Sequence, residues 1–454
     1  MGTALRKGIS PFSVVDAATA RRAQVHPTLE PMKTLNTFKL LCAAAAAASL
    51  VAISACSDSN ASTPTYDSAL DAAAKAAVPS VVKTLEELVN IETGTGDAIG
   101  MPLMTSYLEQ RLQALGAVVT RHKAEADVVG ENLTAVLTGT GTRKLLLMAH
   151  MDTVYPRGTL EKYPFRVEGN RAFGPGIVDD KGGIANILHA LQLLRDRGMK
   201  DYGSITVLFN TDEERGSFGS RDLIQKVAAE NDFILSFEGG GDSFGLASSG
   251  IGYVEARIKG LQSHAGLAPE AGVNSLTEAA DFILRTQDID DKASGRRFNW
   301  TVARAGNSPT VTNVIPDLTV LNADMRVARN EDYDLVKTML EERAAKKRLD
   351  KSVIEVSVTR GRPAFNAGEE GLKLAQRGVE ILKELGVPSS ISTARAGAGA
   401  DVSYAGLSGK PTLDGFGLVG DGYHSNGVEW VTIDLIPSRL YLATRMLIEL
   451  SQGR

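Results

Sequence analysis

A short apolar segment that ends in two polar residues constrains this chain more than any other feature. Residues 145–152 read LLLMAHMD, which predicts a buried strand that delivers His150 and Asp152 at its C-terminal end. Because side chains alternate along a strand, these two residues point the same way. A carboxylate beside a histidine orients the imidazole in many metal sites. The segment therefore suggests a metal ligand, and the alternative is a strand that simply ends in polar residues.

Composition limits the classes of protein to which the sequence can belong. The chain has 454 residues, of which 43% are hydrophobic and 23% charged, as in ordinary proteins of two or three domains. The formal net charge is −5 and there is no long basic run, so no nucleic-acid partner is expected.

The N-terminal segment has the character of an export signal. Lysines precede an apolar run, 40–53, that is too short to predict a membrane span and leads to Cys56. The end of this run resembles the lipobox of bacterial lipoproteins, so we expect a lipid anchor at Cys56, with plain cleavage as the alternative. Translation is expected to begin at Met32. The protein would then be periplasmic or part of the cell envelope. The residues before its first domain would form three segments: an untranslated or non-native extension (1–31), a signal peptide (32–55) and a linker (56–67).

Helices and strands alternate after this segment, which predicts an α/β first domain. Helical spacing covers 81–90 and 103–115, and strands fit 116–120 and 132–137. Residues 64–79 are expected to be a linker that runs into the first helix.

Acidic residues cluster where a site is expected. The loop 174–183, GPGIVDDKGG, precedes a helix, and its spacing and acids argue against a phosphate-binding loop. Glu213 and Glu214 follow one buried strand, and Glu238 follows the next. Sites in open α/β sheets lie beyond the carboxyl ends of strands. Together with His150, these acids predict a cation site rather than scattered surface charge.

Residues 250–363 have a different pattern. The order of predicted elements is β-α-β-β-α-β, which resembles a ferredoxin-like unit inserted as a second domain. One face of its sheet is polar, and an edge strand is available for pairing. The first domain is therefore expected in two parts, 68–249 and 364–454.

The candidate ligands are His150, Asp179, Glu214, Glu238 and His424. Cys42 would be removed with the signal peptide and Cys56 would carry the lipid, so the mature chain has no thiol ligand. Five ligands are too many for one tetrahedral zinc with an open position, and they suit two metals that share one carboxylate. Two divalent ions, three carboxylates and a bridging hydroxide are together neutral. These ligand types fit two Zn²⁺ per subunit, with Co²⁺ or Mn²⁺ as alternatives.

Six motifs give the sequence a specific resemblance, which covers about residues 68–452. HMDTV, GPGIVDDKGG, NTDEERGSFGS, SFE, SHAG and GYHS resemble the zinc aminoacylase/carboxypeptidase family of co-catalytic exopeptidases, especially its bacterial glutamate carboxypeptidases that cleave folates. The resemblance implies a di-zinc catalytic domain, with a mixed sheet flanked by helices, and an inserted ferredoxin-like α+β lid and dimerisation domain. It also implies hydrolysis of the amide bond to a C-terminal amino acid, expected to be glutamate, in folate-like or N-acyl conjugates.

The resemblance further implies a role for each site residue. His150 and Glu238 would hold one zinc, Glu214 and His424 the other, and Asp179 would bridge them. The family has a cis peptide bond between Asp179 and Asp180. Asp152 would orient the imidazole of His150. Glu213 would act as the general base on a water that bridges the two zinc ions.

Five more residues match substrate-binding positions. Arg326 and Arg362 would pair with a substrate carboxylate, because a guanidinium does so through two hydrogen bonds; surface ion pairs are the alternative. His264 and Asn313 would reach the site of a partner subunit, which implies a homodimer through 250–363. Gly399 lies in the Gly-rich substrate loop.

One departure from the family weakens the expectation of folate. After Glu238 the chain reads GGGDSFGLASSG, which is short and contains no lysine. An aminoacylase or dipeptidase of the same family is therefore the alternative. A lipid-anchored protein that only binds a solute is a third hypothesis, and the adjacent Glu213 and Glu214 argue against it because binding needs no catalytic base.

Overall fold

Two sheets, one mixed and six-stranded, the other antiparallel and four-stranded, organise the chain in the computed structural model. The structure describes residues 65–306, 311–425 and 429–453. The predicted extension, the signal peptide and Cys56 lie outside these residues. Among the described helices, none combines the length and hydropathy that crossing a membrane requires.

The described residues contain helices in both predicted parts of the first domain and in the inserted segment. These helices are α1 (Ser68–Val89), α2 (Gly100–Ala114), α3 (Thr159–Lys162), α4 (Lys181–Asp196), α5 (Arg221–Ala229), α6 (Ser275–Arg285), α7 (Asp332–Ala344), α8 (Gly368–Glu384), α9 (Val402–Gly406) and α10 (Ile436–Ser451).

Strands alternate with these helices. Those before residue 250 are β1 (Val118–Lys123), β2 (Glu131–Thr138), β3 (Lys144–His150), β4 (Arg166–Glu168), β5 (Arg171–Phe173), β6 (Ser204–Asn210), β7 (Phe233–Ser236), β8 (Ser243–Gly245) and β9 (Ala247–Ser248). The later ones are β10 (Gly250–Lys259), β11 (Ser263–His264), β12 (Arg297–Ala305), β13 (Val314–Ile315), β14 (Leu318–Val327), β15 (Val353–Arg360), β16 (Phe365–Asn366), β17 (Ser390–Ser392), β18 (Thr412–Leu413), β19 (Gly420–Asp421) and β20 (Trp430–Thr432).

The central sheet has the order β1-β2-β6-β3-β7-β18. β3 runs parallel to β6 and β7, β18 continues the parallel part, and β1 and β2 form an antiparallel edge. The main core contains residues from both α1 and α10, so the two predicted parts of the first domain share one core. The α/β fold predicted from the sequence is confirmed.

Burial on both faces explains the unbroken apolar run of β3. Leu145 and Leu147 pack in the main core, whereas Leu146 and Met148 pack in a separate cluster with residues of α5 and α9. Parallel strands that are covered on both faces have such continuous apolar sequences. The carboxyl end of β3, which carries His150, therefore lies in the middle of the sheet.

The inserted segment has its own sheet and core. Its strands have the order β12-β14-β10-β15, and every pair is antiparallel. α6 and α7 pack against one face of this sheet. The order of helices and strands along the chain and the order of strands in the sheet are both those of a ferredoxin-like unit. β12 and β15 are the edges of this sheet.

The first helix is longer than the sequence analysis predicts. The expected linker over 64–79 is wrong for most of its length, because α1 begins at Ser68 and contains Pro79. Asp67 caps the helix by accepting a hydrogen bond from the N–H of Leu70 at 2.9 Å. Burial of Leu70 and Ala74 against the core stabilises this first part despite the proline.

Candidate metal centre and active site

A cavity of about 890 Å³ lies where the carboxyl ends of the central strands face the inserted unit. Its lining includes acidic residues from the central domain and residues of β10 and β14 from the inserted unit. His150 and Asp152 are fully buried beneath this surface. The cavity is therefore formed by both parts of the fold, and acidic residues from the segments that follow β6 and β7 form its floor.

The five candidate ligands come together at this floor. Oδ1 of Asp179 lies 2.9 Å from Nε2 of His150, and Oδ2 lies 3.2 Å from Nε2 of His424. Oε1 of Glu238 is 3.7 Å from the same His150 nitrogen, and Oε2 of Glu214 is 3.4 Å from the His424 nitrogen. Each oxygen of Asp179 thus faces a different histidine and glutamate pair.

The position of Asp179 depends on the loop before α4. The peptide bond between Asp179 and Asp180 is cis. Asp180 caps α4 through the N–H of Gly183, and its other oxygen accepts the backbone N–H of His150 at 3.2 Å. The loop and the end of β3 are therefore joined directly beside the candidate ligands.

Hydrogen bonds fix the imidazole of His150. Its Nδ1–H donates to the backbone carbonyl of Asp152 at 2.9 Å, and the Asp152 carboxylate lies 3.4 Å away. Because a carbonyl can only accept, Nδ1 carries a hydrogen, so the neutral form of His150 would present the lone pair of Nε2 to the cluster. This is the form in which histidine binds a metal.

The cluster has an excess of buried negative charge. Burial raises the pKa of Glu214 to about 7 and the pKa of Glu238 well above its ordinary value, although His150 opposes both shifts. A hydrogen bond to Asp179 raises the pKa of His424 to about 9. Oε1 of Glu214 is buried and has no hydrogen-bond partner among the described residues. An orphaned carboxylate oxygen within such a donor set fits bound divalent cations.

Glu213 lies beside the candidate ligands without joining either histidine and glutamate pair. It is buried, its side chain lines the cavity, and its Oε1 is 2.8 Å from a guanidinium nitrogen of Arg362. Burial raises its pKa to about 8, and Arg362 acts in the opposite direction. A carboxylate with a pKa near neutrality can both accept and donate a proton.

The predicted substrate residues are divided between two places. Arg326, Arg362 and Gly399 line the cavity. Nε and one terminal nitrogen of Arg326 bind Asp324, each at 2.9 Å. Arg362 pairs with acids of the chain itself, and these pairs are buried, whereas the alternative given in the sequence analysis is a surface ion pair.

His264 and Asn313 do not line this cavity. They lie next to each other on the inserted unit, where β11 pairs with β13 and the N–H of Ala265 donates to the carbonyl of Asn313 at 2.8 Å. Both are exposed. The structure thus keeps these two residues together but apart from the candidate metal centre of their own chain.

Sequence reasoning missed a carboxylate that holds the loop of Asp179. Glu429 is buried, and its oxygens accept the backbone N–H groups of Gly176, Val178 and Asp179 at 2.9 to 3.1 Å. The hydroxyl of Tyr155 donates to it at 2.6 Å. No periodic or motif signal marks Glu429, because its contacts lie about 250 residues away in the chain.

A second missed residue is Arg215, which lines the cavity directly after the candidate ligand Glu214. It is exposed, and the described residues include no carboxylate that pairs with it. Its position in DEERG, next to two glutamates, is the sequence signal that could have identified it. Asp401 was missed as well, and its contacts with Arg362 are described below.

Comparison with known proteins gives an identity to this arrangement. Residues 146–449 match the family described as Peptidase family M20/M25/M40. The chain belongs to this family. It is 55% identical over 391 residues to Carboxypeptidase G2 of Pseudomonas sp. (strain RS-16), a match that covers 86% of this chain and 93% of the relative.

Solved structures of this peptidase family share the fold. A tripeptidase from Staphylococcus aureus superposes with a TM-score of 0.69 at 23% identity, covering 83% of this chain and 99% of that one. A metallo-carboxypeptidase from Sulfolobus solfataricus gives a TM-score of 0.64 at 17% identity, covering 82% and 99%. With the similarity to Carboxypeptidase G2, family membership makes the chain a metallo-exopeptidase whose His, Asp and Glu cluster is suited to bind metal.

Proposed function

We propose that this metallopeptidase is a zinc carboxypeptidase that releases C-terminal glutamate from folate-like or N-acyl conjugates. The observation that carries the proposal is the pair of ligand sets that share Asp179, with Glu213 buried beside them. The 55% identity to Carboxypeptidase G2 supports a carboxypeptidase in particular.

Two zinc ions would be held by the two sets. His150 and Glu238 form one, Glu214 and His424 form the other, and Asp179 would contribute one oxygen to each. When bound, the ions would polarise the scissile carbonyl. They would also lower the pKa of a water, so that it can lose a proton and attack the carbonyl carbon. Histidine and carboxylate ligands without a thiolate also suit Co²⁺ or Mn²⁺.

Glu213 would act as the general base. Its carboxylate faces the cavity from a turn in which the next residue is the ligand Glu214, so it lies close to the reacting water without occupying a ligand position. It would take the proton from the water and pass it to the leaving amine. This transfer is the step that a positioned carboxylate accelerates.

Substrate recognition would use the cations of the cavity. Glutamate carries two carboxylates, and Arg326 and Arg215 line the cavity from the inserted unit and the central domain respectively. Gly399 lines the same cavity. The loop after Glu238 supplies no basic side chain, which favours an aminoacylase or dipeptidase activity as the second candidate.

His264 supports a homodimer through residues 250–363. Its Nδ1 accepts the N–H groups of Gly266 and Leu267, both at 3.1 Å, so the neutral ring carries its hydrogen on Nε2. An exposed Nε2–H can donate to a substrate carbonyl in the site of a partner subunit, with Asn313 beside it. The edge strands β12 and β15 offer a surface for pairing.

Export to the periplasm or cell envelope is proposed from the sequence alone. The signal-like segment 32–55 and the lipobox-like residues before Cys56 support a lipid anchor. Mass spectrometry of the protein from a bacterial membrane fraction tests this: an acylated Cys56 is expected, and a mature chain that begins there without lipid would limit the proposal to cleavage.

A substrate panel tests the activity. The purified protein with added zinc is assayed on folate, methotrexate, N-acyl-glutamates, other N-acyl amino acids and dipeptides. Release of glutamate, lost with a chelator and restored by zinc, is expected. Preferred turnover of dipeptides or of N-acyl amino acids other than glutamate would favour the second candidate. Absence of hydrolysis with zinc, cobalt and manganese would contradict the proposed function.

A further inference from the structure

We infer that Arg362 is a positioning residue that holds the carboxylate of Glu213 in place, and that it does not bind the substrate. The inference rests on the proposed function, in which Glu213 is the general base. One guanidinium nitrogen of Arg362 lies 2.8 Å from Oε1 of Glu213 and donates to the backbone carbonyl of the same residue at 2.7 Å. Arg362 thus contacts both the side chain and the backbone of Glu213.

Asp401 occupies the other side of the guanidinium. Its Oδ1 accepts from Arg362 at 2.9 Å and also from the hydroxyl of Ser217, while its Oδ2 accepts from Nδ2 of Asn210 at 2.5 Å. All four side chains are buried. Asp401 is therefore itself held by the end of β6 and by the turn after Glu214, so it forms a fixed anchor.

The charge of Arg362 is already balanced by the chain. Two carboxylates, those of Glu213 and Asp401, contact the guanidinium of Arg362, whose side chain is only 5% exposed. A substrate carboxylate would have to displace one of them and leave a buried charge without a partner, which is costly. Binding energy for the substrate is better supplied by Arg326, whose side chain is 31% exposed.

The backbone of Arg362 is fixed as well. Its carbonyl accepts the N–H of Ile251 at 2.8 Å and the hydroxyl of Tyr333 at 2.7 Å, and both partners belong to the inserted unit. The side chain then extends into the central domain. Arg362 spans the junction of the two parts with both ends held, and such a side chain can keep a catalytic carboxylate in one orientation.

Steady-state kinetics separate the two roles of this arginine. Loss of a positioning residue lowers kcat and leaves KM nearly unchanged, whereas loss of a substrate ligand raises KM. We expect Arg362→Met to lower kcat about 100-fold or more with a change in KM below about threefold. Arg362→Lys retains one charged contact with Glu213 and is expected to restore part of the lost kcat. Arg326→Met, the matched comparison, is expected to raise KM.

Metal content and thermal unfolding are measured on every variant. An Arg362→Met protein that raises KM at unchanged kcat would overturn the inference. So would an Arg362→Lys protein whose kcat is no higher than that of Arg362→Met. If Arg362→Met does not fold, Asp401→Asn replaces it: reduced kcat at unchanged KM and full metal content is expected, and unchanged kcat would overturn the inference. Wild-type protein that releases no glutamate from any conjugate would contradict the proposed function instead.

Discussion

Asp152 joins the candidate ligand His150 to the turn that carries Glu213. Its Oδ1 accepts the backbone N–H of Glu213 at 2.9 Å, and its Oδ2 accepts the N–H of Glu214 at 3.2 Å. Its backbone carbonyl receives the Nδ1–H of His150. Asp152 therefore holds the candidate ligand His150 through its backbone carbonyl. Its side chain holds the backbone of the candidate ligand Glu214 and of the proposed base Glu213.

Replacing Asp152 is expected to weaken metal binding and turnover together. Asp152→Ala removes both acceptors, so the Glu213–Glu214 turn loses its anchor, and a loss of about 10- to 100-fold in metal affinity or in kcat is expected. Thr95→Val is the graded control, because it removes only the hydroxyl that donates to Oδ2 at 2.7 Å. Equal effects of the two substitutions on metal content and kcat would contradict this assignment.

Glu213 and Glu214 are adjacent but are expected to respond differently to substitution. Glu213→Gln keeps the metals and lowers kcat by about 10²- to 10⁴-fold, because the amide cannot take a proton from water. Glu214→Gln weakens the set with His424 and reduces the bound metal. Elemental analysis and kcat are measured on both proteins. Loss of metal in Glu213→Gln would show that the two roles are assigned wrongly.

The close approach of Gly399 to Arg362 predicts a further effect on turnover. A Cβ built on Gly399 would lie 2.9 Å from Cδ of Arg362, whereas a Cβ on Gly397 meets nothing within 4 Å. Gly399→Ala is therefore expected to displace Arg362 and lower kcat about tenfold or more, since small misplacements in a catalytic group are costly. Gly397→Ala is the matched control. A drop in kcat in Gly397→Ala as large as that in Gly399→Ala would refute the steric explanation.

His189 is expected to make the stability depend on pH. It is buried on α4, its Nε2 is 2.9 Å from the hydroxyl of Thr84, and burial lowers its pKa from 6.5 to about 4. The unfolded chain binds the proton first, so the contribution of His189 is fully present above pH 6.5 and is lost as the pH falls toward 4. The loss is at most about 3 kcal/mol.

Urea unfolding at a series of pH values measures this contribution. His189→Gln cannot titrate, so its free energy of unfolding should fall less than that of the wild type between pH 6.5 and 4. His122→Gln is the control, because His122 is half-buried and its pKa is lowered less by burial. Identical pH dependence in the wild type and His189→Gln would refute the prediction.

The sequence indicated which residues would gather at the candidate site because several of them follow a readable pattern. His150 and Glu238 lie at the ends of short apolar runs that predict buried strands, and Asp179 lies in a Gly-rich loop before a strongly periodic helix. Strand ends of one parallel sheet meet at one edge, so these ligands could be placed together before any distance was known. The length of α1 was underestimated because a local rule against internal proline was outweighed by burial of its apolar stripe.

By itself, the sequence determined the α/β core, the inserted unit and the types of residue available to bind metal, because these follow from periodicity and from the ends of strands. Only the tertiary structure decided which partners Arg362 has. Glu213 lies 149 residues before it and Asp401 lies 39 residues after it. An arginine suits a substrate carboxylate and a carboxylate of its own chain equally well, and the choice depends on how the inserted unit and the central sheet pack around it.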